Sequence, residues 1–165
     1  MNFTICPMKI TNHNFKNYGN LISIKNKKFK NINNGYAKNF YDLAKIDIKK
    51  AKGAPKLSIF KAKARKFPFK IELMERHPIS SQLFFPLDKH KFLVVVSNSK
   101  YNPHPDTLRS FIVPENCGIN YKAGVWHYPL IVIKNSLFLV FDRKGSKKNL
   151  EIFKYKKEKI ELSYE

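Results

Sequence analysis

From Leu57 onward, apolar and polar residues alternate along most of the chain. KLSIFKAK and FKIELME carry an apolar side chain at about every second position, the period of a strand with one buried face. SQLFFPL is an apolar run ended by Pro86, and KFLVVVSN reads as a buried strand followed by the turn NPHPD. LRSFIVPE predicts a short strand or a helix–strand junction. GINYKAGVWHYPLIVI predicts two strands with Gly124 between them, and SLFLVFDRKG a further strand before the turn RKGSKKN. LEIFKYKK predicts a last edge strand, whose lysines discourage strand addition.

The N-terminal third is more mixed. MKITNHNFKNYGN predicts a short helix with Thr11 as N-cap, Gly19 as its C-terminal stop, and Phe15 and Tyr18 facing inward. LISIKN predicts a strand, and the Lys/Asn-rich segment Lys25–Asn34 an exposed loop or hairpin. In YAKNFYDLAKIDI, the spacing of Tyr36, Phe40 and Leu43 predicts a second short helix. Eight to ten strands separated by Pro and Gly turns, with no long helix alternating between them, exclude a doubly wound parallel sheet. They predict an all-β fold, an antiparallel sandwich or a jelly-roll barrel with short N-terminal helices. At 165 residues the chain is sized for one domain spanning residues 1–165, and no internal repeat is present.

Charge complicates the picture. The net charge is +20, which points to a polyanion partner, either nucleic acid or an acidic surface. Yet the charge comes from 28 lysines against 4 arginines, beside 16 asparagines. Nucleic-acid contacts favour arginine for its planar fork, and no nucleic-acid-binding signature appears. Compositional drift toward Lys and Asn is therefore the preferred reading, and a nucleic-acid partner is not expected. Against this lysine background the arginines are informative. Arg65 lies in the basic run KAKARKFPFK, where a solvated charge belongs. Arg76, Arg109 and Arg143 lie beside strand-like segments, where a guanidinium is required for a reason.

Cys6 and Cys117 show neither metal-ligand spacing nor a disulfide framework, which predicts reduced thiols in a cytoplasmic protein. The N-terminus lacks the apolar core of a signal peptide, and no apolar run is long enough to span a bilayer.

The chemistry concentrates in MERHPISSQLFFPL. In a strand, Glu75 and His77 share one side and Arg76 takes the other. A turn over residues 78–81 would return Gln82 to the face of Glu75 and His77, and GVWH places His127 three residues after Gly124. The set Glu75, His77, Gln82 and His127 resembles the metal site of cupins, His-x-His-x₃₋₄-Glu followed by Gly-x-x-His, with Glu and Gln replacing one His and the Glu. The competing reading of each residue is structural: a satisfied half-buried histidine, a solvated Glu75–Arg76 pair, a core Trp126.

The blocks ELMERHPISSQLFFPL, FLVVVSN, LRSFIV, GINYKAGVWHYPLIVI and FLVFDRKGSKKNLE resemble the successive motifs of the ureidoglycolate lyases. MKITNHNFKNYGNLI, INNGYAKNFYDLAKID and KLSIFKAK resemble their N-terminal part. The resemblance runs from about Met8 to Lys154. The sequence departs from the family at Ser80, where glycine is usual, at Lys122 in place of histidine, and at Leu150 in place of cysteine. The resemblance implies a cupin-like fold, a homodimer, and a carbon–nitrogen lyase that splits (S)-ureidoglycolate into glyoxylate and urea in allantoin and purine breakdown. It also implies the option of a divalent metal such as nickel on His77, His127, Glu75 and Gln82.

Ureidoglycolate carries hydroxyl, ureido nitrogen and carboxylate on one carbon. Its cleavage needs a base, an acid and a cation. His77 or His127 suits the base. Glu75 suits an orienting role, or an acid if burial raises its pKa. Arg76 and Arg143 are candidates to clamp the carboxylate, and Ser81 and Gln82 to hold the ureido group. For Arg76 and Arg143 a structural ion pair or a turn cap is the alternative. Two other functions stay open at this point, a basic β-barrel binding module for nucleic acid or acidic surfaces and a cupin acting on another small hydroxy acid.

Overall fold

The strand Phe92–Ser97 is buried at all six positions because both of its faces are covered. Phe92, Val94 and Val96 pack into one core with Phe15, Phe84, Phe111, Phe138 and Ile119. Leu93 and Val95 pack into a second with Ile71, Met74, Trp126, Ile131 and Ile160. An uninterrupted apolar run is the pattern of a strand enclosed in this way.

The computed structural model describes residues 2–164. A front sheet runs in the order Glu151–Lys154, Leu73–Arg76, Trp126–His127, Phe92–Ser97, Arg109–Val113, Met8–Lys9, with Ile131–Val132 also paired to Phe92–Ser97. A back sheet runs Gly19–Ile22, Gly118–Tyr121, Gln82–Pro86, Ser136–Lys144, Ala54–Ala62, and all its pairings are antiparallel. A small third sheet, built from Asn2–Ile5, Lys159–Leu162 and Phe69–Lys70, supplies Ile160 and Leu162 to the second core. The architecture is all-β, consistent with a cupin-like fold. The front and back sheets are separate hydrogen-bonded sheets, so a sandwich describes them better than a closed barrel.

Several expectations need correction. One α-helix is present among the described residues, Asn12–Phe15, and Thr11 caps it in a reciprocal capping box with Asn14. Gly19 is not its left-handed stop. Gly19 starts a strand, and a Cβ there would lie 2.0 Å from the Asn120 carbonyl oxygen, so this glycine serves close strand approach. The second helix does not form. Asn33, Asn34 and Gly35 all take positive φ and turn the chain back, so that Lys30–Ile32 and Ala37–Asn39 pair as a hairpin. Phe40 then meets Phe29 at a ring separation of 5.4 Å, and Tyr36 is 94% exposed. Asn-Asn-Gly is a left-handed turn signal, and it outweighs a helical spacing of only three aromatic and apolar residues. Glu151–Lys154 is an edge strand as expected, but it is not the last: Lys159–Leu162 follows and pairs parallel to the N-terminal strand. Among the described residues there are seventeen strand segments against the expected eight to ten: FKIELME and GINYKAGVWHYPLIVI break into short pieces, and Asn2–Ile5, Met8–Lys9 and Lys159–Leu162 are additional. Among the described residues no helix is long and apolar enough to cross a membrane, and both cysteines are free thiols.

Candidate active site

The polar cluster is assembled by cross-strand register. Glu75 stands directly opposite His127 on antiparallel strands of the front sheet. Gln82 stands opposite Tyr121 in the back sheet. The turn after His77 therefore carries the chain from one sheet to the facing one, so Gln82 meets Glu75 across the interior and not on an adjacent strand. Gly124, with φ +80°, bends the 122–125 loop, and its N–H donates to the His77 carbonyl at 2.8 Å. A left-handed residue at that bend favours glycine.

Both imidazoles have a defined tautomer. His77 Nδ1 lies 2.7 Å from the Asn149 carbonyl oxygen, and His127 Nδ1 lies 3.0 Å from that of Val125. Carbonyls only accept, so each Nδ1 carries the proton and each neutral ring presents its Nε2 lone pair. Neither Nε2 has a protein hydrogen-bond partner. His127 Nε2 lies 3.5 Å from Glu75 Oε1, close enough for an ion pair when the ring is protonated but not a formed hydrogen bond. The Tyr121 ring stacks on His127 at 4.2 Å and fixes its plane. The His77 and His127 rings are 5.5 Å apart.

Among the described residues, five buried side-chain polar atoms lack a partner. Four of them, His77 Nε2, His127 Nε2, Gln82 Oε1 and Asp142 Oδ1, belong to this cluster. Unpaired buried polar atoms cost free energy, and their concentration in one place marks a site built for a ligand. Two cavities reach it. One, of about 440 Å³, is lined by His77, Asp142, Arg143 and Asn149. The other, of about 600 Å³, is lined by Glu75, Gln82, Phe84 and Arg65.

Ionisation follows from these neighbours. Burial pushes the Glu75 carboxyl up, but the His127 contact and the charges of His127 and His77 outweigh it and hold Glu75 below the ordinary carboxylate value. Glu75 is thus ionised, against the expectation of a pKa raised by burial. Burial first, then the nearby His127, depress His77 below the usual histidine value, against the opposing Asn149 carbonyl, Glu75 and Asp142. The Tyr121 hydroxyl is raised by burial and by Glu75.

Four expected residues thus come together: Glu75, His77, Gln82 and His127. Three do not join them. Arg76 points away, with Nε donating to Glu151 Oε2 at 2.6 Å, Nη1 to the Lys100 carbonyl, and the guanidinium over Trp126. Ser81 is buried with its hydroxyl on the Asp47 backbone, docking the 42–50 segment. Arg143 lines the smaller cavity, but its Nε and Nη2 donate to the Lys50 and Ala51 carbonyls. Trp126 is core, donating to the Tyr101 carbonyl.

Sequence reasoning missed four residues. Asp142 continues the inward alternation Phe138, Val140, Asp142, a signal that was present, and its Oδ2 lies 3.6 Å from Lys56 Nζ. Tyr121 was legible only as an apolar strand position. Asn149 holds the His77 ring, donates to Ser80 Oγ at 2.7 Å and accepts from the Ile79 N–H. No local pattern announces that role. Arg65 is solvent-exposed as expected, but its place in the lining of the larger cavity was not read.

Comparison with known proteins gives a consistent result. A family model described as ureidoglycolate lyase matches residues 2–162. The chain is 37% identical over 151 residues to a ureidoglycolate lyase of Brucella anthropi, covering 91% of this chain and 89% of that one. It is 37% identical over 149 residues to one of Stutzerimonas stutzeri, with 90% and 88% covered. It is 37% identical over 148 residues to one of Burkholderia mallei, with 89% and 86% covered.

Proposed function

This chain belongs to the ureidoglycolate lyase family, and on that premise we propose that it is a carbon–nitrogen lyase cleaving (S)-ureidoglycolate to glyoxylate and urea. The observation that carries the reading is the pair of buried imidazole nitrogens, His77 Nε2 and His127 Nε2, left without hydrogen-bond partners beside the Glu75 carboxylate.

Elimination from a carbinolamine needs no added water. The hydroxyl loses a proton, the C–O bond becomes a carbonyl, the C–N bond breaks, and the ureido nitrogen takes a proton as urea leaves. His77, kept neutral by burial and by His127, is suited to accept the hydroxyl proton at Nε2. His127 Nε2 faces the Glu75 carboxylate at 3.5 Å, which places this second imidazole as the proton carrier for the departing nitrogen. Positioned proton transfer of this kind contributes roughly 10²–10⁴-fold. The Gln82 amide both donates and accepts, as a ureido group requires.

The same donors fit a divalent cation such as nickel. Glu75, His77 and His127 each offer a ligand atom within 4.8 Å of the others, and Gln82 adds an unpaired amide oxygen. Each imidazole is tied at Nδ1 by a carbonyl, the outer support that metal-bound histidines use. When bound, such an ion supplies Lewis acidity to the substrate oxygens.

A homodimer accompanies this reading. The outward face of the back sheet carries Leu57, Ile59, Leu137, Leu139, Phe141, Leu83 and Phe85, aligned by register across three strands. Leu57, Ile59 and Leu137 are exposed. This face is predominantly apolar, with Lys61 opposite Leu137, and a chain of net charge +20 meets its own copy most readily through such a face, so a second copy is the fitting occupant. The free thiols and the metabolic family support a cytoplasmic location.

The test is a product assay on purified protein with (S)-ureidoglycolate, with and without chelator. Equal glyoxylate and urea above spontaneous decay is the expected result. Ammonia release would identify an amidohydrolase and overturn the proposal.

A further inference from the structure

The proposed substrate is an anion, and the two arginines expected to hold its carboxylate are otherwise engaged. Arg76 is spent on Glu151 and Lys100, and Arg143 on Lys50 and Ala51. Arg109 donates to the Asp106 and Leu108 carbonyls and is also a loop staple. Each of these guanidiniums binds two acceptors, which a lysine ammonium cannot do in the same fixed plane. Resting on the function proposed above, we propose that Arg65 is the residue that anchors the substrate carboxylate.

Arg65 lines the cavity of about 600 Å³ that also holds Glu75 and Gln82. Among the described residues its guanidinium has no hydrogen-bond or ion-pair partner. It lies over the Phe69 ring at 5.2 Å, which supports the flat face and leaves the N–H edge open. The backbone beneath is pinned: Arg65 N–H donates to the Val132 carbonyl at 2.9 Å, and Ala64 N–H to Asn135 Oδ1 at 2.9 Å. Lys61 and Lys63 line the same cavity, so the cation faces no competing acid from its own segment.

The remaining walls are apolar, Phe60, Phe84, Pro129 and Leu130. A carboxylate entering this cavity would meet ionised Glu75 deeper in, and like charges repel. A guanidinium at the wall offsets that repulsion and offers two parallel donors matched to a carboxylate. The cavity thus offers a cation for the carboxylate, and Gln82 for the ureido group beside Glu75, the carboxylate that faces the His127 ring.

The test compares wild type with Arg65→Gln, Arg65→Ala and Arg65→Lys. A charge-assisted bidentate contact predicts that Arg65→Ala raises KM about 10- to 100-fold, with kcat changed less than about threefold and thermal stability unchanged. Arg65→Gln keeps the stem on Phe69 and shows the same loss, while Arg65→Lys recovers part of it. The two products separate anchoring from a general structural effect. Binding of glyoxylate, which keeps the carboxylate, weakens by the same factor in Arg65→Ala, and binding of neutral urea does not change. A wild-type protein that binds glyoxylate through Arg65 but turns over no ureidoglycolate would overturn the function and keep the anchor. Unchanged glyoxylate binding in Arg65→Ala, or none by wild type, would overturn the anchor.

Discussion

Glu75 and His127 are register partners on adjacent antiparallel strands, and their side chains meet at 3.5 Å in the interior. The backbone ladder therefore sets the carboxylate–imidazole pair, while Val125 and Tyr121 set the ring's rotation. His127 is 2% exposed, so alanine there would leave a void as well as remove chemistry. His127→Asn is the cleaner variant, because its amide can still donate to the Val125 carbonyl while Nε2 is lost. Turnover by His127→Asn is expected to fall at least about 100-fold, with a smaller loss of melting temperature than His127→Ala. Near-wild-type turnover in a folded His127→Asn protein would remove this ring from the mechanism.

Ser80 and Asn149 form the second support. Ser80 lies in the turn before Gln82, and its hydroxyl accepts from Asn149 Nδ2, while Asn149 receives the Ile79 N–H. Ser80→Ala is expected to cost about 1 kcal/mol of stability. Asn149→Ala should cost more, because it also leaves the Ile79 N–H unsatisfied, and it should lower kcat by loosening the carbonyl that holds His77. Urea unfolding of the two single variants and the double variant gives their coupling, expected at about 0.5–1.5 kcal/mol. Strictly additive losses would mean that the two side chains act independently.

The legible part of this molecule was what repeats with a period. Alternation located most of the strands of both sheets, and the i, i+2 rule placed Glu75 with His77 and Arg76 away from them. Family motifs named the remaining cluster members. What could not be read depends on contacts between distant segments. Asn149 acts on residues 77–80 through a backbone carbonyl and a side-chain amide, which no spacing encodes. The arginines show the limit most clearly. Scarcity singled out Arg76, Arg109 and Arg143, and their targets are loop carbonyls and a glutamate, which only the folded loops reveal. Arg65 is exposed as its basic run suggested, and that run also borders the cavity.

The donor set makes a separate prediction about metal. Protein stripped with chelator and titrated with nickel is expected to gain melting temperature in proportion to ln(1 + [Ni²⁺]/Kd). Glu75→Gln should weaken the effect, since an amide is a poorer ligand than a carboxylate. Elemental analysis of untreated protein should find about one divalent ion per chain if the three ligand atoms act together. Unchanged melting and full activity after stripping would instead establish His77 and His127 as proton carriers.

The outward face of the back sheet tests the assembly. Leu139 stands between Ile59 and Phe85, and Phe141 between Leu57 and Leu83, so one apolar patch crosses three strands. Each Ala54–Ala62 strand also leaves its outer edge unpaired within the back sheet. A single charge placed centrally in such a patch is buried twice across a two-fold interface, once from each copy, so its cost is doubled. Ile59→Lys is therefore expected to convert a dimer to a folded monomer in sedimentation analysis at micromolar concentration. Because Glu75, His77, Gln82 and His127 come from one chain, the monomer should retain turnover per chain within about threefold, less than the tenfold that 1.4 kcal/mol represents. A wild type that sediments as a monomer would remove the dimer reading. A monomeric variant that folds but loses activity would instead show that the partner copy completes the site.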